Sequence, residues 1–322
     1  MTAWRYPAFW LSLALVLIGG LAAFITGSDA VRETIFPVLM VVALASSLNI
    51  LMGYTGYVSF GHIVFYGFGA YVGFYFLSIH NWSLWPAVLV GGLAAGVLAL
   101  LLGSAILRLR GAYFALATIG INEAMRAFVS NFDPFGASTG LSLNFAVYKD
   151  YGGPANALWL AFTAVFVLTL LSLVVSYFVK FSRFGLGLMA IREDEDAAMV
   201  MGVRTPKAKT IAYIISAIIP GMIGVLFFFK NGQLEPTDAF RFSLSVELIV
   251  MVMLGGQGTV LGPLVGGAVY NFLRVYLLTS PLFQNLQLAI AGLLLLLIVL
   301  FVPAGMVGWL RGHFPTLRRV LE

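Results

Sequence analysis

Apolar stretches long enough to cross a bilayer recur along the whole chain, separated by short polar breaks. Ten are legible, over about 7–26, 35–52, 62–79, 85–107, 112–130, 157–179, 210–230, 243–256, 260–278 and 286–303. About 20 apolar residues cross a hydrocarbon core of about 30 Å, so the pattern predicts an all-α, polytopic membrane protein with about ten transmembrane helices. The first stretch follows Arg5 but exceeds the about 7–15 residues of a secretory-signal core, and it reads as a retained helix. The eighth, at about 14 residues, is short for a full crossing, leaving open a tilted, broken or re-entrant segment.

Composition agrees. Hydrophobic residues make up 61% of the 322 and charged residues only 10%, against about 45–50% and 25% in soluble domains. That excludes a soluble enzyme, a nucleic-acid-binding domain and a disordered chain. There is no cysteine, so no disulfide or thiolate chemistry is available. The three histidines lie far apart, and no metal site is expected. An inside N-terminus places Arg5, Arg108, Arg110, Lys180, Arg183, Arg192, Arg204, Lys207, Lys209, Arg311, Arg318 and Arg319 on the cytoplasmic side. The outer loops then hold only Arg32, Lys149, Lys230 and Arg241. The positive-inside rule therefore puts both termini in the cytoplasm.

Two loops are long. The outer one, about 131–156, has turn signals at Asp133-Pro134-Phe135-Gly136 and Gly152-Gly153-Pro154. Its Phe132, Phe135, Phe145, Tyr148 and Tyr151 predict packing onto the membrane surface. The inner one, about 180–209, carries the acidic run Glu193–Asp196. A helix is expected from about Met189 to Met201, capped by Gly202 and barred from continuing by Pro206. Ala197 and Ala198 would let another surface approach closely. From these residues alone the segment is either a solvated loop helix or a docking element. No G-x-x-x-x-G-K-[ST] phosphate loop occurs, so nucleotide use is expected on another polypeptide. Residues 1–322 read as one transmembrane domain.

Ala190-Ile-Arg-Glu-Asp-Glu-Asp-Ala-Ala-x-x-x-Gly202 resembles the cytoplasmic loop of permeases in branched-chain amino-acid ABC importers. Asn49-Ile-Leu-Met-Gly-Tyr-Thr-Gly-Tyr-Val-Ser-Phe-Gly-His62, Arg110 to Gly120 and Gly255 to Pro263 are similar to further blocks of that family. Of its two paired permease types, the chain is more similar to the LivM type than to the LivH type. The resemblance implies Arg192, Glu193, Glu195, Asp196, Ala197, Ala198 and Gly202 as ATPase-coupling residues, with Asp196 shorter in reach than the family's Glu. It implies a second, LivH-type permease, two cytoplasmic ABC ATPases, an extracytoplasmic substrate-binding protein and membrane lipid as partners, in a bacterial inner membrane. Neither a cofactor nor nucleic acid is implied, and ATP is used by the partner subunits. Leucine, isoleucine and valine are the expected substrates, with urea, amides or related small molecules as the alternative.

Two glycine-rich turns, Gly53/Gly56/Gly61 and Gly255/Gly256/Gly258/Gly262, have similar spacing about 200 residues apart, which hints at an internal repeat. They suit tight helix–turn–helix packing, or a broken helix whose freed N–H groups meet a substrate carboxylate. The pairs Gly69/Gly73, Gly92/Gly96 and Ala217/Gly221 argue for close helix packing. Glu123, Arg126, Glu247 and Arg274 fall within spans, where charge is costly. Glu123 and Arg126 share a helix face, as a local ion pair or a substrate contact. Asn122 is placed to add a hydrogen bond, Glu247 to sit at the membrane edge, and Arg274 to point toward another span or the outer interface. Asn49 is a further buried-polar candidate. A stand-alone, ion-coupled transporter is the rival reading, with Glu123 and Glu247 as its acidic groups. No residue constellation suggests catalysis on a substrate.

Overall fold

A computed structural model describes residues 7–279, 286–302 and 304–313. Each of the ten apolar segments is a helix: α1 (Pro7–Thr26), α2 (Asp29–Thr55), α3 (Ile63–Ser78), α4 (Leu84–Ile106), α5 (Ala112–Ser130), α6 (Pro154–Phe181), α9 (Thr205–Asn231), α11 (Phe242–Gly255), α12 (Gly262–Thr279) and α13 (Gln287–Phe301). Between them lie the shorter α7 (Arg183–Glu193), α8 (Glu195–Val200) and α10 (Pro236–Ala239), with α14 (Gly305–His313) last. Among the described residues, α1, α2, α4, α6 and α9 are long and apolar enough to cross a membrane on length and composition alone. Arg5, Arg318 and Arg319 lie outside the described residues.

The helices sort into two compact units. One holds α1, α2, α6 from Thr169, α7, α8, α11 from Val246, and α12 to α14. Its centre is α2, in which every residue from Leu39 to Thr55 is buried. A helix apolar all round belongs in a core, and α2 is packed against α1, α7 and α12. The close approach of α12 depends on Gly267, where a methyl group would sit 3.1 Å from Val42 Cγ2.

The other unit holds α3, α4, α5, the first part of α6, α9 and α10. Here α3, α4 and α9 pack through small residues, as the small-xxx-small spacing predicts. A methyl group on Gly69 would run into Gly221 and the Gly91 carbonyl, and one on Gly73 into Val225 and the Ala87 carbonyl.

The loop at 131–156 is built from short 3-10 turns at 133–135, 137–139 and 145–151. It differs from the expected lipid-facing loop, because it closes over the helix ends of its own unit. Strand β1 (Leu141–Ser142) pairs antiparallel with β2 (Gln233–Leu234), Leu141 opposite Leu234. The Tyr148 hydroxyl donates to the Phe229 carbonyl at 2.5 Å, and the Phe135 ring lies 5.4 Å from that of Tyr71. Protein, with its own carbonyls to satisfy, offers these tyrosines what lipid cannot. The side chain of Phe145 lies outside the described residues.

The connection expected over 180–209 also differs. The flanking helices run to Phe181 and resume at Thr205, so the connection is shorter than 180–209. Pro206 sits in the first turn of α9 and opens that helix, where a missing N–H costs nothing. The single helix expected over Met189–Met201 is broken at Asp194, whose backbone is extended at φ −158° and ψ 113°.

Candidate functional site: the Arg192 junction

Asp194 breaks the helix because its side chain replaces the helical hydrogen bonds. Its Oδ1 accepts from the N–H groups of Asp196 at 2.9 Å and Ala197 at 3.0 Å, which caps α8. The preceding α7 is capped by Ser182, whose Oγ accepts from Gly185 N at 3.0 Å. At the far end Gly202 takes φ +91°, as its predicted capping role requires. In α8 the two alanines diverge. Ala197 is exposed, whereas Ala198 is buried, so only the first is open to another surface. Glu193 and Asp196 are also exposed, and Glu195 is intermediate.

Arg192, the penultimate residue of α7, joins this segment to the end of α2. Its Nη1 donates to the Gly53 carbonyl at 3.1 Å, while its Nη2 holds Glu193 Oε1 at 2.8 Å. Gly56 caps α2 in the left-handed region at φ +77°. A methyl group there would lie 3.0 Å from Arg192 Cγ.

One turn back along α2, Asn49 is fully buried and clips the second glycine turn. Its Nδ2 donates to the Thr259 carbonyl and its Oδ1 accepts from Gly258 N, both at 2.9 Å. Gln257 adds a bond from Nε2 to the Met52 carbonyl at 2.8 Å. The turn itself has Gly256 at φ +125° and Gly258 at φ +76°. Three of its glycine N–H groups are occupied: Gly256 donates to the Val252 carbonyl, Gly258 to Asn49 and Gly262 to Thr259 Oγ1. Gly255, closing α11, lies against the Gly262 carbonyl. Gly61 lies in the other unit, against the Thr118 carbonyl of α5.

The ionisable groups within spans resolve differently. Arg126 Nη2 meets Glu123 Oε2 at 2.7 Å, and both side chains are about half exposed. Asn122 does not join them; it is buried and donates to the Phe240 carbonyl at 3.0 Å. Glu247 is buried, with Arg274 of α12 reaching it at 3.6 Å, so Arg274 does point toward another span. Sequence reasoning missed Lys209, which it placed among loop charges. Lys209 is buried in α9, donating to the Leu107 carbonyl at 2.7 Å and the Tyr57 hydroxyl at 2.9 Å. An earlier helix start would have been the signal. Asp194, Gln257 and Thr259 were also missed.

Residues 32–299 match the family model described as branched-chain amino acid transport system / permease component. The LivM high-affinity branched-chain amino acid transport permease of Escherichia coli is 26% identical over 83% of this chain and 68% of its own length. Its Salmonella typhimurium counterpart is 26% identical over 91% of this chain and 73% of its own. The Salmonella typhimurium LivH permease is 23% identical over 82% and 90%. No solved structure matches. With ten apolar helices among the described residues and a match that spans most of its length, the chain is a multi-pass membrane protein belonging to the family of permease components of branched-chain amino acid transport systems.

Proposed function

We propose that this chain is one of a pair of permease subunits in an ATP-driven ABC importer that carries leucine, isoleucine and valine inward across a bacterial inner membrane. Both termini are cytoplasmic in this reading, and residues 1–322 form a single transmembrane domain. Two separate ATPases hydrolyse ATP, a LivH-type permease completes the pathway, and an extracytoplasmic binding protein delivers substrate. The chain supplies translocation without catalysis and needs no cofactor of its own.

The observation that carries the reading is the Arg192 junction. The capped two-helix element leaves Met199, Val200 and Met201 exposed, with Glu193 and Asp196 beside them. This apolar, acid-rimmed tip supports docking of an ATPase. Behind it, Arg192 and Asn49 connect the tip to α2 and to the turn between α11 and α12. A push on α8 therefore has a hydrogen-bonded route into the core of its unit.

The test is purification of the tagged chain from native membranes in mild detergent, followed by reconstitution of whatever accompanies it. A second multi-span permease and two Walker-motif ATPases are expected, with ATP-dependent leucine uptake. Deletion of residues 193–202 should abolish uptake and stimulated ATP hydrolysis while insertion persists. Uptake by this chain alone, without ATP, would overturn the reading.

A further inference from the structure

The Glu123–Arg126 pair has no structural use in the packing described above. Helix α5 turns Phe114, Thr118, Asn122 and Val129 inward. Its other face carries Tyr113 and Leu116, 75% and 64% exposed, then Gly120, Glu123 and Arg126. At 1.5 Å per residue, Glu123 lies about 10 Å inside the nearer end of the helix. A charged side chain facing acyl chains is disfavoured. Nothing approaches within 4 Å of where a Gly120 side chain would begin. Between the exposed apolar side chains of Leu116 and Phe128, this stretch of α5 offers water two charges and an open shelf.

We infer that this face lines the water-filled path of the assembled importer, and that Glu123 and Arg126 form a contact site for the zwitterionic head of an amino acid. The inference rests on the importer reading above. The Glu123 carboxylate takes the α-ammonium and the Arg126 guanidinium takes the α-carboxylate through its fork of donors. At 2.7 Å the two side chains neutralise each other while the site is empty. An entering zwitterion exchanges one ion pair for two and leaves the net charge unchanged. The shelf at Gly120, beside Leu116, accommodates the aliphatic side chain. Urea or a simple amide has no full charge for either group, so the pair favours amino acids among small polar solutes.

The absence of cysteine makes the test clean. Gly120→Cys and Leu116→Cys each place the single thiol of this chain on the face. The whole importer is reconstituted and treated with an anionic, membrane-impermeant methanethiosulfonate. Modification of the thiols is expected, slowed about tenfold by L-leucine at ten times its half-saturating concentration. Glu123→Gln and Arg126→Gln are each expected to raise the KM for leucine about tenfold or more. The exchanged pair Glu123→Arg with Arg126→Glu can re-form the ion pair but presents it reversed, and uptake should stay low. Recovery to the parent level would mark the pair as structural and overturn the site. So would unmodified thiols in an importer that transports, which would place the face against the second permease or lipid, or modification without leucine protection. Failure of the unsubstituted importer to carry leucine would instead refute the function on which the site rests.

Discussion

Arg192 Nη1 donates to the carbonyl oxygen of Gly53 across 139 residues of sequence, at 3.1 Å. Gly53 lies in the last turn of α2, where carbonyls lack helical partners and the helix dipole is negative. A cation there caps the helix and ties it to the α7–α8 segment. Replacing Arg192 with Gln removes the charge and shortens the reach. The loss of a charge-assisted hydrogen bond, about 1.5–3 kcal/mol, should lower leucine uptake about tenfold or more. Basal ATP hydrolysis by the partner subunits should persist. Uptake and ATPase assays on the same proteoliposomes check this, and an unchanged ratio of leucine carried to ATP hydrolysed would refute it.

Asn49 makes two buried hydrogen bonds with one side chain, and Asn49→Ala leaves both partners unsatisfied. A cost of about 2–4 kcal/mol is expected, seen as a lower unfolding temperature in detergent. Asn49→Asp keeps the acceptor for Gly258 but sets a carboxylate oxygen against the Thr259 carbonyl, and should destabilise as well.

Glycine substitutions should divide by what a methyl group meets. At Gly53 it would fall on Asn49 and 2.7 Å from Gly258 N, so Gly53→Ala should lose about 1–3 kcal/mol through overpacking. At Gly19 of α1 it meets nothing within 4 Å. Gly19→Ala should gain up to about 1 kcal/mol, because alanine is the better helix former. Thermal unfolding of the two variants side by side gives the comparison.

Burial raises the pKa of Tyr148 above its ordinary value of 10.0, since a phenolate is disfavoured there. A group with a raised folded-state pKa contributes stability that is complete below the unfolded value and is lost as pH rises through the folded one. The loop at 131–156 should therefore hold near neutrality and loosen in strong alkali, when the hydroxyl can no longer donate to Phe229. Protease accessibility of the loop against pH measures this. Tyr148→Phe should be looser at neutral pH and lack the alkaline step.

The ten apolar helices among the described residues are all legible in the apolar pattern, and for the five long enough to cross a membrane, lipid fixes both length and composition. The Glu123–Arg126 pair is legible too, since its partners are three residues apart. Asn49 is named by its buried position, but its partners lie 209 and 210 residues away and only folding identifies them. The break at Asp194 is hidden because the run Glu193–Asp196 has the composition of a solvated helix face. One of its carboxylates competes with the helix for backbone N–H groups, and composition does not say which. Asn122 points the other way from its charged neighbours for a similar reason: the Phe240 carbonyl that holds it belongs to a distant segment.

The bond from Tyr148 to Phe229 sets an order of events during synthesis. Its acceptor is made 81 residues after its donor, a delay of about 4–16 s at ordinary translation rates. Throughout that interval the loop has neither β2 nor the end of α9 to close upon. The cap over this unit is thus completed late, and a ribosome stalled before Phe229 leaves an open, protease-sensitive loop on an otherwise inserted set of helices.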